Sequence, residues 1–514
     1  MGCTMGPQTN EEEELPLDIK KYIPLIFAAV ILQLYSPVFP QDEECTIGVA
    51  SGKATQDGRP MIWKTRDYIQ ELDNLVRYNN SMDHPFVYVV GACSTSARMG
   101  VNKHGLAIVN STSSDLPDGS DTGMLNGTLI KTGLGTCTTI QEFQDLLDET
   151  NSTGRRTNGN FCIIDSAGGA ALFEVGEKIY WRFDAADDPK GYILRTNFAV
   201  NGGGSTGTER LIRTVKLVSD FRKGDSLNYK SILRYQMRDF SDNSSNPLSV
   251  PFNGTYAGGP FGYVETNLSI CRNSSVSATV ITGTLPGEFP ELSTMWTILG
   301  QPASSIALPY WPIGFPPHEA DGVITSMLCD VSLQIRGQLF DYAGDASFID
   351  TYKLLDGNGG GLWTKTFPYE DRVFSETEAL LSAWREAETL PTADMKALQD
   401  SLAEDTYHYL QTCLRYVLDD PQFVASHTAQ PVVYPNPFST ETMLNYELVE
   451  RSDVRIDVYS ISGVLIESIG YEDQSPGQYH QKIRLEAESP GGIMILKLTV
   501  NGRSQTLKLI KKAL

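Results

Sequence analysis

From Cys45 to about Phe374 short apolar runs rich in β-branched residues alternate with Gly, Asp and Asn turns, and a few stretches of helical period interrupt them. Residues 46–50 and 61–64 read as two strands joined by a loop containing Asp57-Gly58, and 98–102 and 106–110 as two more around a turn at Gly105. Residues 161–165, 170–174 and 179–183 predict a further meander. Thr139-x-x-Glu142 is a capping box opening a helix with Ile140, Phe143 and Leu147 inward. Thr206-x-x-Glu209 predicts a second helix, with Leu211, Val215 and Val218 on one face. Ser375-x-x-Glu378 predicts a third, running to about Leu390, where Pro391 interrupts the pattern before a last helical stretch from about Ala393 to Leu418. These last two are either a closing layer of the main domain or a spacer. After Pro421 the period changes to two: residues 432–434, 442–448, 454–459, 464–469, 481–485, 493–500 and 505–510 predict seven short strands and a small β-sandwich. Sheets covered by helices, followed by a separate all-β unit, are implied.

Length and charge narrow the function. At roughly 150 residues per domain, 514 residues suggest about three domains. The 63 acidic residues outnumber the 41 basic ones and leave a net charge of −22, which repels a phosphate backbone, so no nucleic-acid partner is expected. Eight cysteines are too few for a disulfide scaffold, and no pair of CxxC motifs supplies zinc spacing. The six histidines stand in no metal spacing: His318-Glu319 opens like HExxH, but Gly322 holds the fifth position. No metal and no cofactor is expected. Gly203-x-Ser205-x-Gly207 matches the nucleophile-elbow pattern, against the plainer reading of a turn before a helix.

Near the start, Lys20 and Lys21 precede an apolar run at 22–35 that is shorter than the roughly 20 residues of a spanning helix. It reads as the apolar region of a signal peptide, with a membrane anchor or buried helix as the competing reading. Cys45 follows shortly and begins a strand. A cut between Glu44 and Cys45 would place an α-amine and a thiol on one residue. That amine, with an ordinary pKa near 7.7–8.0, can take the thiol proton and return it to a leaving group, so no catalytic histidine is needed. The competing readings are a lipid-acylation site, disfavoured by Asp42-Glu43-Glu44 before the cysteine, and an inert or disulfide-bonded cysteine.

The segment Cys45-Thr46…Ala54-Thr55-x-Asp57-Gly58…Lys64-Thr65-Arg66-Asp67 resembles the N-terminal signature of the N-terminal-nucleophile (Ntn) cysteine hydrolases. That superfamily includes choloylglycine hydrolases, penicillin V acylases, the acyl-coenzyme A:6-aminopenicillanic acid acyltransferases and a dipeptidase family. The resemblance implies that Cys45 is exposed by removal of preceding residues and that Asp67 holds its amino group. Lys64 stands where bile salt hydrolases carry Arg, keeping the charge without the bidentate geometry. Gly100-Val101-Asn102-Lys103-His104-Gly105-Leu106-Ala107-Ile108-Val109-Asn110 is similar to the family's GxNxxGLxxxxN hairpin, making Asn110 the candidate oxyanion donor, with Thr112 as a neighbour able to fill that role. Leu194-Arg195-Thr196-Asn197-Phe198 resembles the strand end whose Asn orients nucleophile and substrate, and Ser205…Arg210 the element whose Arg lies near the cysteine. Taken singly, Asp67 reads as an ion-pair partner, Asn110 and Asn197 as strand-end residues and Arg210 as a helix-surface charge.

Val433-Tyr434-Pro435-Asn436-Pro437-Phe438, the 454–463 strand with its Gly463 turn, Gly491-Gly492-Ile493, Asn501-Gly502 and the terminal Lys508, Lys511 and Lys512 look like the type IX secretion sorting domain of Bacteroidetes. A carbohydrate-binding or adhesive sandwich is the competing reading. Together the resemblances imply an α+β protein: a four-layer αββα Ntn-hydrolase sandwich followed by a small all-β sandwich. Expected boundaries are 1–44 for signal peptide and propeptide, 45–374 for the catalytic domain, 375–428 for a helical extension or spacer, and 429–514 for the sorting domain. The implied protein is secreted or cell-surface, reaches the outside through the periplasm with the type IX machinery as partner, and keeps no membrane span when mature. It cleaves a linear amide C–N bond of a small-molecule amide or N-acyl substrate, or transfers the acyl group. The alternatives are an Ntn-type dipeptidase and a non-catalytic surface binding protein.

Overall fold

The computed structural model describes residues 43–512 except 93, 118–121, 243–247, 257–258, 260, 341–344, 358, 420–430, 449–450, 476, 486–491 and 502. The expected signal region at 22–35 lies outside the described residues. Thirteen strands build the two main sheets: β1 (Glu44–Ala50), β2 (Met61–Asp67), β3 (Asn74–Asn79), β4 (Phe86–Gly91), β5 (Met99–Asn102), β6 (Ala107–Thr112), β7 (Gly159–Ile164), β8 (Ala170–Val175), β9 (Tyr180–Asp184), β10 (Tyr192–Arg195), β11 (Ser275–Thr282), β12 (Thr294–Leu299) and β13 (Leu308–Tyr310). β3 to β9 form a seven-stranded antiparallel meander in chain order. The other sheet runs β10-β1-β2-β11-β12-β13, also antiparallel.

The sheets face one another. Ile47 and Val49 of β1 share one core with Val87, Val89, Val101, Val109, Cys162 and Leu172 of the meander. The meander's far face, with Phe86, Ile108, Phe161 and Phe173, is covered by α1 (Asn126–Thr136) and α2 (Ile140–Asn151). Helices α3 (Thr208–Lys223), α4 (Met327–Leu339), α5 (Trp363–Arg385) and α6 (Thr392–Asp419) supply residues to the core of the other sheet. There Trp296 of β12 stacks on Tyr229 at 4.5 Å and meets Phe374 of α5 edge-on at 5.3 Å. Helix, sheet, sheet, helix is the expected four-layer order. Burial on both faces explains why β1 and β2 carry so little alternation. Gly48 is required in β1 because a Cβ there would lie 2.2 Å from the Trp63 indole of β2.

Local signals fared unevenly. Thr139 and Glu142 form the expected capping box, with Ile140, Phe143 and Leu147 buried. The helix expected from Thr206 instead starts at Thr208 after a left-handed Gly207, without a side-chain cap. Its buried face is Arg210, Arg213, Thr214 and Val218, while Val215 is exposed. Paired arginines displace the apolar stripe: Arg213 meets Asp239 at 2.6 Å, and Arg210 faces β1. Ser375 does not cap a helix but lies inside α5, its hydroxyl donating to the Asp371 carbonyl at 2.8 Å. The division drawn at 374 therefore falls within a helix, and α5 and α6 share the core of the sheets, as a closing layer does.

The C-terminal strands are β14 (Val432–Tyr434), β15 (Glu441–Leu448), β16 (Ser452–Ser460), β17 (Leu465–Gln474), β18 (Gly477–Arg484), β19 (Gly492–Val500) and β20 (Arg503–Lys511). They form sheets β14-β15-β18 and β17-β16-β19-β20 around a separate core that includes Phe438, Leu444, Ile456, Ile483, Leu496 and Leu509. All seven expected strands are present. Among the described residues no helix is long and apolar enough to cross a membrane.

Candidate active site

Cys45 lies near the start of β1, between β10 and β2, and its side chain is buried. The residues before it remain attached, so its nitrogen is a peptide N–H. That N–H donates to Asn197 Oδ1 at 2.8 Å, and Asn197 Nδ2 donates to the carbonyls of Glu43 and Thr112, each at 3.0 Å. Asn197 thus holds the chain on both sides of the Glu44–Cys45 bond. Arg210 of α3 sends Nη1 to the Cys45 carbonyl and to Thr46 Oγ1, and Nη2 to Glu44 Oε2 at 2.8 Å and Asn197 Oδ1 at 2.9 Å. The turn before α3 is fitted to this: Gly207 has φ +81°, and a Cβ there would lie 2.5 Å from Arg210 Nη2.

On the thiol side stands a cluster of cations. The β1–β2 register sets Cys45 opposite Arg66 and Ile47 opposite Lys64, so both cations project on the thiol's face. Lys64 Nζ donates to Asn110 Oδ1 of β6 and to Glu43 Oε1, each at 3.0 Å. Arg66 Nε reaches the same Glu43 oxygen at 3.0 Å, and Arg98 Nη1 reaches Glu43 Oε2 at 3.2 Å. Glu71 is the second carboxylate, bound by Arg66 Nη2 at 2.5 Å and Arg98 Nη2 at 2.9 Å. The Cys45 thiol donates to Glu43 Oε1 at 3.6 Å. Burial would raise the Glu43 pKa, but Lys64, Arg66 and Arg98 outweigh it and hold the carboxyl well below its ordinary value. Burial pushes the Cys45 thiol up to about 12; Glu43 and Asp67 add to the rise, and Lys64 and Arg66 oppose it.

Asp67 stands opposite Glu44 in the register and does not bond to the Cys45 nitrogen. Ser275 donates to its Oδ1 at 2.5 Å. Its Oδ2 is buried without a hydrogen bond, with Arg272 Nε at 3.5 Å, and Arg272 Nη1 reaches Glu44 Oε2 at 2.7 Å. Burial raises the Asp67 pKa against the opposing pull of Arg272 and Arg210.

The structure therefore gathers Cys45, Asn197 and Arg210 directly, Asn110 through Lys64, and Asp67 through Arg272 and Glu44. The sequence reading missed Glu43, Arg66, Arg98 and Arg272 as members of the site. One signal was available: Lys64 and Arg66 alternate within a strand that is buried throughout, where charges require partners. Ser205 lies exposed in the loop before α3, and no histidine among the described residues bonds to it. Among the described residues no group of three or more His, Cys, Asp and Glu side chains is placed to hold a metal ion.

No curated protein matches the chain. Among solved structures it is similar to a conjugated bile acid hydrolase from Clostridium perfringens (10% identity over 49% of this chain and 89% of that one, TM-score 0.31). It is also similar to the N-acylethanolamine-hydrolyzing acid amidase ortholog of Caenorhabditis elegans (12%, 50% and 99%, 0.32) and to penicillin V acylase from Agrobacterium tumefaciens (15%, 52% and 85%, 0.30). The sequence matches are more direct: residues 54–223, which begin after Cys45 and include Asp67, Asn110, Asn197 and Arg210, match one family, and residues 432–512 match another. As the motifs lead one to expect, residues 54–223 match the family described as acyl-coenzyme A:6-aminopenicillanic acid acyl-transferase and residues 432–512 match a secretion system C-terminal sorting domain.

Proposed function

We propose that the protein is a secreted Ntn-type amide hydrolase or acyltransferase whose nucleophile is Cys45, freed by cleavage of the Glu44–Cys45 bond. The observation that carries this reading is the double hold of Asn197 on that bond, beside a buried thiol ringed by Lys64 and Arg66. After cleavage the new amine stays in reach of Asn197 Oδ1, and Asp67 Oδ2, now without a hydrogen bond, is a second acceptor near it. The amine takes the thiol proton, and the thiolate attacks the amide carbon. Asn110, whose Oδ1 is turned to Lys64, keeps its Nδ2 for the developing oxyanion, together with a backbone N–H. The amine then protonates the departing nitrogen, leaving a thioester that water or a second amine resolves. Losing one oxyanion donor typically lowers the rate about 100- to 1,000-fold. Arg210 and Asn197 position the nucleophile rather than react. The sorting-domain match supports export by the type IX machinery.

N-terminal sequencing and intact mass of the exported protein test the reading beside a Cys45→Ala variant. A chain beginning at Cys45, with hydrolysis of N-acyl amides that the variant lacks, is the expected result. A chain beginning upstream, with Cys45 internal, removes the base and turns the reading to a surface binding protein.

A further inference from the structure

Glu43 occupies the thiol side of the site like a ligand. Its carboxylate takes one hydrogen bond each from Lys64, Arg66 and Arg98 and lies 3.6 Å from the Cys45 sulfur. Lys64 and Arg66 are fully buried. When the residues before Cys45 leave, Glu43 leaves with them. Arg66 and Arg98 then keep the carboxylate of Glu71, and Lys64 keeps the Asn110 amide oxygen and the Arg98 carbonyl but no carboxylate among the described residues. Buried charges left in this way demand an anion. The nitrogen of Cys45, which must meet the leaving amine, lies on the other side, against Asn197. The cradle therefore faces the part of the substrate that stays on sulfur.

We propose that the vacated cradle of Lys64, Arg66 and Arg98 receives a carboxylate on the acyl part of the substrate, a few bonds from the scissile carbonyl, so that the mature enzyme selects amides of dicarboxylic acids. This rests on the Ntn reading of Cys45. In the uncut chain Glu43 fills the same place and keeps such substrates out.

Two measurements on the chain beginning at Cys45 test it. The first compares alkylation of Cys45 by iodoacetate and by iodoacetamide, read by peptide mass mapping. Iodoacetate carries a carboxylate one bond from the reacting carbon and is expected to react at least tenfold faster. In the chain retaining Glu43, and in an Arg98→Gln variant of the mature chain, that preference is expected to shrink. The ratio is taken within one protein, so a change in folded fraction cancels. The second compares N-succinyl and N-glutaryl anilides with N-butyryl and N-valeryl anilides, with at least tenfold higher kcat/KM expected for the anionic pair. Equal or faster reaction with iodoacetamide overturns the anion site whichever anilides are cleaved. Iodoacetate preference with neutral anilides cleaved as fast as anionic ones also overturns the proposal, because the cations then serve the oxyanion alone. Iodoacetate preference with no anilide cleaved upholds the cradle while removing the amidase reading.

Discussion

Glu43 and Cys45 are two residues apart, and the charge of one sets the chemistry of the other. Burial pushes the Cys45 thiol up to about 12, Glu43 at 3.6 Å and Asp67 add to the rise, and Lys64 and Arg66 oppose it. Removing Glu43 takes away a negative charge that raises the thiol pKa and leaves Lys64 and Arg66, which lower it. The pH midpoint for alkylation by neutral iodoacetamide is therefore expected to fall when the chain is cut before Cys45; a midpoint that stays put or rises contradicts this. At this scale much was legible. Cys45, Asn110, Asn197 and Arg210 were marked by motifs, because each sits in a short local stretch, on β1, on β6, just past β10 and on α3. Glu43, Arg98 and Arg272 belong to no motif. They come to the site through register and through contacts between separate segments, Glu43 with Lys64 21 positions on, Arg98 with Glu43 across 55 positions and Arg272 with Glu44 across 228, and no local pattern carries that information.

Among elements, the contact between α5 and the segment 229–238 binds charge inside the outer helix layer. Glu370 of α5 is fully buried and bound by Arg238, by Arg234 and by the N–H of Ala307. Burial would raise its pKa, but the two guanidinium groups and that N–H outweigh it and keep the folded value below the ordinary 4.5. Its contribution to stability is thus present at neutral pH and is lost as pH falls through the folded value. Glu370→Gln leaves Arg238 buried without its counter-charge, and unfolding in urea at pH 7 is expected to show a loss of about 3–5 kcal/mol, shrinking in acid. A loss under 1 kcal/mol at pH 7 would sink this account. The same layer shows where periodicity misleads. The Thr139 cap was readable because its hydrogen bonds close within four residues. Ser375 opens a stretch of the same kind, a hydroxyl residue with Glu three positions on, but the burial of Trp363, Val373, Phe374, Leu381 and Trp384 on one side of α5 carries the helix straight through it.

At the scale of the whole molecule, the C-terminal sandwich has a core separate from that of the four layers. Calorimetry of the chain beginning at Cys45 is expected to show two transitions, one of which disappears on removal of residues 432–512. A single transition left unchanged by that removal would contradict independent folding. The sandwich was readable because apolar period survives in strands with one solvated face, whereas the layer order came from the family resemblance, since strands buried on both faces show little alternation. The domain limit at 374 was not readable, since the helices that close the main domain carry ordinary amphipathic patterns that do not say what they cover. The placement of Cys45 has one more result. Chain ends usually fray, and a reagent carried on one would wander by more than the few tenths of an ångström that bond-making tolerates. β1 is paired along its length to β2 and from Ile47 onward to β10, and Arg210 grips the Cys45 carbonyl. A chain end made at Cys45 would thus be held by β2 and by Arg210 rather than left loose, and trimming it by a single amino acid would delete the reagent without loosening the sheet.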